Sequence, residues 1–421
     1  MQARSWLKIT ICLVGGLYLA PPVNSMQWQR GDPAPQSLLE ESPSIAAQQH
    51  PETVMVSALT AIRENRLNDA DKLIDALLAT RPNYRLAHLV KGDLLMAHAQ
   101  PISGIGSAQI NDDKLADLRR EAYVRLARYS APPPTGMIPG NLLQLTPEQH
   151  NAVVVDATHS RVYLYRNENG TPKYVTDFYA TIGKLGIGKM REGDQRTPLG
   201  VYFVTGHMPR EQLDKTMGPR AELYGVGAWP LSYPNDWDRQ QGRTGGGIWL
   251  HGVPYDTYSR APNASNGCVA LTNPDMSALG NYLEPGTPVV ITPQIEWLDA
   301  AQWQSRRDAA LAELNGWRQD WESLDTPRYL GHYGEDFHVG STNLAAWRSQ
   351  KAAVNSGKTW AKVKLDDVSL FAYPTSAGNT MLMANFQQDY QSSNLANKMQ
   401  KRLYMERQSK DWKIVYEGAA G

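Results

Sequence analysis

The sequence predicts a multidomain chain: an α-helical, repeat-like segment, then a mostly-β domain, then an α+β domain. Three observations carry this. Apolar residues recur at helical spacing over 53–130. Short apolar runs punctuated by Gly and Pro fill 144–293. Over 294–421 helix-period residues give way to long alternating strands. At 421 residues the chain is long enough for two or three domains.

Residues 1–25 read as a signal peptide. Arg4 and Lys8 give a positive start, Ile9 to Ala20 are apolar but short for a membrane span, and Val23-Asn24-Ser25 offers a cleavage site looser than Ala-x-Ala. Export to the periplasm is the expectation, with an inner-membrane anchor as the alternative if the segment stays uncleaved. Residues 26–52 are polar and Pro-bearing and read as a disordered tether.

In 53–130, Ala58, Ile62, Ala70, Ile74, Leu77 and Leu78 mark helical faces, and Pro82 separates two helices. Ala58 and Gly92 stand thirty-four residues apart, so the segment is similar to a tetratricopeptide repeat, where small residues let paired helices approach. Such helices either pack on a neighbouring part of the chain or present a docking surface. Residues 131–143, with Pro132-Pro133-Pro134, read as a stiff linker.

The span 144–293 is expected to be mostly strand, as in "NAVVVDATHSRVYLYRNENG", "GVYFVTGHM", "GGIWLHGV" and "TPVVIT", with "NPDMSALGNYL" as its one helix candidate. In 294–421 a helix carries Ala310, Leu314, Trp317 and Trp321 on one face, short helices follow near Tyr329 and Leu344, and long strands end in a hairpin at Ser409-Lys410.

Charge narrows the function. The 42 basic and 42 acidic residues balance, and loss of Arg4 and Lys8 leaves a slight acidic excess, so no basic surface points to nucleic acid. After signal removal Cys268 is the sole cysteine, which excludes an internal disulfide. It is then a buried inert thiol, half of an intermolecular bridge, or a nucleophile. His251 ends the strand-like "GGIWLHG", and Cys268 follows the Ser265-Asn266-Gly267 turn at the mouth of "CVAL". Adjacent strands ending at one rim would let the imidazole take the thiol proton and return it to a leaving amine. The backbone N–H groups of Asn266, Gly267 and Cys268 are the candidate oxyanion donors. One Cys and one His leave metal ligands unfilled, so no metal site is read here.

"HG" followed by "S-x-G-C", with "GKLGIGKMREGDQRTPLGVYFVT" and "YPNDWDRQQGRTGGGIWLHG", resembles the L,D-transpeptidases with a YkuD-type domain. The resemblance implies a β-sandwich-like catalytic domain with Cys268 as nucleophile, His251 as base and then acid, and no cofactor. It implies peptidoglycan tetrapeptide stems as donors, a thioester, release of D-alanine, and an amine or water as acceptor. Many members carry Arg two residues after the cysteine, where this chain has Ala270; Arg260 or Arg243 is the candidate replacement. Arg260, Gly252, Ser265, Trp249 and Tyr233 are the candidate substrate-binding residues. Trp229, Tyr233, Trp237 and Trp249 either line the cleft or fill the core. Thr197-Pro198-Leu199-Gly200 reads as a turn shaping the floor, and Asp194 and Glu192 as solvated or backbone-bonded carboxylates.

The C-terminal segment, with "WRQDWESLDTPRYLGHYGEDF" and "NFQQDYQSS", is similar to SnoaL-like, cone-shaped domains. Its pocket would hold glycan or peptide, or be filled by its own Trp and Tyr. Expected partners are stem peptides, with a lipoprotein or another envelope protein as acceptor or partner. A non-catalytic envelope scaffold is the alternative of another class.

Overall fold

The computed structural model describes residues 49–97, 105–106, 113–375 and 381–420. The expected signal peptide and most of the tether lie outside the described residues. The last tether residues do not, because helix α1 (Pro51–Arg63) begins there with Pro in its first turn. It is followed by α2 (Leu67–Thr80), α3 (Arg85–Ala97) and α4 (Asp113–Ser130). Helical spacing gathers Ala58, Ala70, Ile74, Leu77 and Leu86 into one buried cluster. Gly92 departs from the repeat pattern: no atom lies within 4 Å of where its Cβ would stand, so no helix closes on it.

The span read as a linker ends in two strands, β1 (Ile138–Pro139) and β2 (Leu142–Gln144). The β domain then contributes β3 (Asn151–Asp156), β4 (Arg161–Glu168), β5 (Thr171–Tyr179), β6 (Ile182–Gly183), β7 (Gly200–Phe203) and β8 (Met208–Pro209). After these come β9 (Gly227–Pro230), β10 (Trp249–His251), β11 (Asn263–Ser265), β12 (Val269–Ala270) and β13 (Pro288–Thr292). One sheet has the order β5-β4-β3-β13-β7 and a second β12-β10-β9-β8. The unbroken run Ala152-Val153-Val154-Val155 makes β3 a strand buried on both faces. Val153 and Val155 point into a core shared with Leu250 and Val269, while Ala152 and Val154 point into another shared with the C-terminal domain.

The helix expected at Asn273 is present as α7 (Asn273–Gly280). Two further helices, α5 (Arg210–Met217) and α6 (Asp236–Gln240), correct the expectation of one helix candidate. Leu213 is the buried residue of α5, and the five-residue α6 is set by an Asn235/Asp238 capping box, so neither has an apolar stripe to detect.

The C-terminal domain runs β14 (Trp297–Leu298), α8 (Ala300–Glu322), α9 (Thr326–Leu330), β15 (His338–Val339), β16 (Thr342–Asn343) and α10 (Leu344–Ser356). Four long strands follow, β17 (Ala361–Tyr373), β18 (Met381–Ser392), β19 (Ala396–Gln408) and β20 (Asp411–Ala419), with the hairpin where Ser409-Lys410 predicts it. Their sheet has the order β2-β17-β18-β19-β20, so the supposed linker supplies an edge strand. β1 pairs with β14, and Trp303 Nε1 donates to the Leu142 carbonyl at 2.7 Å. Ala310, Leu314, Trp317 and Trp321 are buried on α8. Trp321 stacks on Tyr390 and Trp317 meets Phe386, so the cone is largely filled by its own aromatic rings. Cavities of about 340 Å³, beside Leu311, Arg318 and Val363, and about 180 Å³, beside Trp321, Lys351, Tyr390 and Lys401, are found among the described residues.

The helical module packs on the β domain. Glu52 of α1 binds Arg125 of α4 at 2.9 Å and Arg161 of β4 at 2.7 Å. Arg161 Nε reaches Asp177 of β5 at 2.8 Å, and Arg128 Nε of α4 reaches the same oxygen at 2.9 Å. Burial opposes charge on Glu52, but Arg161 and Arg125 hold its carboxyl below the usual range. Arg125→Ala would leave Glu121 buried without its cation and Glu52 with Arg161 alone. The expected cost in urea denaturation at pH 7 is about 3–5 kcal/mol. Because Glu52 is depressed in the folded state, its contribution is present above the unfolded value of 4.5 and is lost as pH falls below it, so the deficit narrows in acid. A deficit unchanged at pH 3 would count against the ion network as its source.

Candidate active site

The site is built from the pairing of β10 with β12. The strands run parallel, with Leu250 opposite Val269 and His251 opposite Ala270. Leu250 and Val269 face the core, so strand alternation turns Trp249, His251, Cys268 and Ala270 to the other face. His251 and Cys268 thus share one face of the rim as diagonal neighbours.

Cys268 is the free cysteine among the described residues and is half-buried. Its Sγ donates to the Gly247 carbonyl at 3.3 Å. His251 is buried, with Nδ1 2.5 Å from the Gly252 carbonyl. A carbonyl only accepts, so Nδ1 carries the hydrogen and Nε2 is left as the proton acceptor. The Tyr224 ring meets the imidazole edge-on at 5.1 Å and tilts against Trp249 at 4.8 Å.

Burial sets both ionisations. It lowers the His251 pKa to about 4, opposed by the Gly252 carbonyl and aided by the Arg260 charge. It raises the Cys268 thiol to about 11, while the Trp249 amide, Arg260 and Lys189 pull the other way. The resting pair is therefore a neutral thiol and a neutral imidazole.

The candidate substrate residues separate into two groups. Arg260 stands at the site, since its charge acts on both His251 and Cys268; its guanidinium also donates to the Ala264 carbonyl. Trp249 is half-buried beside Tyr224. The other three are structural here. Tyr233 is 6% exposed, packs on Tyr202 in the core and donates its hydroxyl to the Thr244 carbonyl. The Ser265 hydroxyl donates to the Cys268 carbonyl at 2.6 Å and accepts the Gly267 N–H at 3.1 Å, locking the turn. That leaves the N–H groups of Asn266 and Cys268 as oxyanion candidates, because the Gly267 N–H is already engaged. Gly252 is needed for close approach: a Cβ there would stand 2.1 Å from Asn273 Oδ1. Arg243 pairs with buried Asp238 at 2.8 Å and is a structural cation. Trp229 stacks on His207, and Trp237 packs against Tyr404 of the C-terminal sheet.

Several residues hold this geometry: Thr197 and Asp194, which the sequence reads as floor turn and backbone-bonded carboxylate, and Asn273 and Lys189, to which sequence reasoning gave no role. The Thr197 hydroxyl donates to the Gly267 carbonyl at 2.9 Å and accepts the Gly183 N–H at 2.8 Å, tying the cysteine turn to β6. Asn273 Oδ1 accepts the N–H groups of Val226 and Val253, fixing the chain around Gly252. Lys189 lies near the thiol and pairs with Asp194 at 2.9 Å. Burial opposes the Asp194 charge, but the amides of Met190, Arg191 and Arg196 and the Lys189 ammonium hold its carboxyl down to about 2. Lys189 and Asp194 lie in the quoted "GKMREGD" stretch, whereas Tyr224 and Asn273 have no motif to mark them.

Comparison with known proteins agrees with this architecture. Residues 150–291 match the L,D-transpeptidase catalytic domain, YkuD, and residues 309–418 match the Cds6 C-terminal NTF2-like domain. The chain thus carries a YkuD-type domain of the L,D-transpeptidase family, a family of peptidoglycan-modifying enzymes, followed by a Cds6-type NTF2-like domain. Among solved structures it is similar to Bd1075 from Bdellovibrio bacteriovorus, at 26% identity over 68% of this chain and 98% of that one, with a TM-score of 0.58. It is also similar to the helical cell shape determining protein Pgp2 from Campylobacter jejuni, at 27% identity over 67% of this chain and 95% of that one, with a TM-score of 0.57. No curated protein sequence matches it significantly.

Two measurements check the site. In a histidine NMR titration His251 is expected to titrate near about 4 rather than 6.5, remaining neutral at pH 7. A midpoint at or above 6.5 would indicate an imidazolium–thiolate pair instead. Gly267 sits at φ +123° with Arg196 O 2.8 Å from the position of a Cβ, so Gly267→Ala is expected to displace the cysteine turn. Its check is loss of Cys268-dependent reactivity in a chain whose far-UV circular dichroism is unchanged.

Proposed function

We propose that this chain is an exported cysteine acyltransferase that remodels peptidoglycan through tetrapeptide stems. The observation that carries the reading is the shared face of His251 and Cys268, with Nδ1 tied to Gly252 and Nε2 left to accept a proton. As the Cys268 sulfur attacks the carbonyl of the stem's diamino acid, the imidazole takes the S–H proton. The tetrahedral oxygen faces the Asn266 and Cys268 amides. Collapse breaks the amide bond, the imidazolium returns the proton to the leaving amine, and D-alanine departs. The thioester then passes to an amine, giving a cross-link or an attached protein. Arg260 supplies a cation for a substrate carboxylate.

Ala270, where many members have Arg, favours a second reading in which water resolves the same acyl-enzyme and trims the stem. Residues 1–25 support a periplasmic location, and the similarity to Pgp2 supports a role in cell shape.

Incubation with a disaccharide tetrapeptide is expected to give an adduct on the intact mass equal to donor minus D-alanine. Cys268→Ala should abolish it, and His251→Ala should lower kcat/KM by about 10²–10⁴-fold. Chromatography of the products separates cross-linking, protein attachment and hydrolysis. Absence of both adduct and turnover would leave the scaffold alternative standing.

A further inference from the structure

The loop at 252–262 joins β10 to β11 and carries Arg260, whose charge is felt at the thiol. Among the described residues Arg260 forms no ion pair with a carboxylate, and burial depresses its pKa. A half-buried, unpaired guanidinium is costly and stays only where its surroundings hold it.

Much of what holds this loop comes from the helical module. Asn83, between α2 and α3, accepts the Tyr258 N–H with its carbonyl at 3.2 Å and donates its side-chain amide to the Tyr255 carbonyl at 2.9 Å. The Tyr258 ring lies 4.7 Å from that of Tyr84, inside the helical core. Ser259, the neighbour of Arg260, donates its hydroxyl to Glu121 of α4 at 2.6 Å. The Arg260 carbonyl accepts from Tyr179 at 2.8 Å and Thr181 at 3.1 Å. The Tyr179 ring is covered at 3.8 Å by the Arg125 guanidinium, which Glu121 and Glu52 grip in turn.

The geometry points to Glu121 and Arg125 as positioning residues of the active site: through Ser259 and Tyr179 the helical module fixes where the Arg260 guanidinium stands relative to Cys268 and His251. The module is then part of the catalytic apparatus rather than a separate binding arm. Its consequence for turnover rests on the acyl-transfer reading, but the placement of the cation can be read on the thiol itself. The other groups acting on that thiol and its cation are Lys189, held by Asp194, the Tyr224 phenol and the like charge of Arg85.

The test is the pH dependence of iodoacetamide alkylation at the Cys268 peptide of the full chain, followed by mass spectrometry. Arg260→Gln removes the cation and is expected to raise the thiol midpoint by roughly half a unit to one unit. Ser259→Ala and Glu121→Gln leave Arg260 in the chain but loosen its loop, and each is expected to shift the midpoint the same way by less. Adding Ser259→Ala to Arg260→Gln should give no further shift, because both act through one cation. Tyr129→Ala, on an exposed part of α4, is the control and should superimpose on wild type. Superimposable profiles for Ser259→Ala and Glu121→Gln, alongside a shifted Arg260→Gln, would overturn the positioning role. An unshifted Arg260→Gln would overturn it as well. Alkylation needs no peptide donor, so these results stay distinct from failure of the acyl-transfer reading, which would appear as a missing donor adduct.

Discussion

The parallel pairing of Leu250 with Val269 is the contact on which the site depends. Both side chains are fully buried, and each fixes the direction of its neighbours, since successive residues of a strand point to opposite faces. With Leu250 and Val269 committed to the core, His251 and Cys268 have to emerge together on the outer face. A slip of one residue on either strand would send the imidazole or the thiol into the core and an aliphatic side chain to the rim. Strands of three and two residues hold such a register poorly by themselves. Thr197, bridging Gly183 and Gly267, and Asn273, bridging Val226 and Val253, tie both strand ends to their surroundings.

Burial has a second consequence. The enclosure that brings the two groups together also makes a resting ion pair unfavourable, holding the imidazole and thiol uncharged. In the proposed acyl transfer, proton transfer would therefore be coupled to attack on a carbonyl instead of preceding it. Charge would then develop on the substrate oxygen and the imidazole within a site that already contains backbone amides and the Arg260 cation. Preorganised dipoles are most effective where no solvent has to reorganise.

The sequence marked candidate catalytic residues more sharply than contacts between modules, for physical reasons. His251, Gly267 and Cys268 stand out because few residue types satisfy their roles at that spacing. Tyr233 and Ser265 were candidates for substrate contact because an aromatic ring between strands, or a hydroxyl beside a cysteine, serves cleft and scaffold equally well. Their hydrogen bonds to Thr244 and Cys268 decide for scaffold. The strands β1 and β2 were hidden in a Pro-rich segment because their partners, Leu298 and Leu370, lie more than a hundred residues away. The same distance hid the grip of Glu121 on Ser259. Local pattern reports periodicity and turns, whereas these contacts are properties of the assembled chain.

The run of β3 also shows how the C-terminal domain packs on the β domain. Val154, Tyr163, Tyr165, Val201 and Val290 of the catalytic sheet share a cluster with Phe371, Tyr373, Met383 and Tyr404 of the C-terminal domain. Full burial of one such side chain is worth about 1.5–3 kcal/mol relative to exposure. Exposing several at once would cost as much as a typical domain's whole stability, about 5–15 kcal/mol. The central strands of the five-stranded sheet β5-β4-β3-β13-β7 are thus covered on both sides: one side carries the core beneath the thiol and the other packs on the C-terminal sheet. With the helical module gripping the loop of Arg260 and the C-terminal sheet covering the floor, the three parts form one unit around a short catalytic rim.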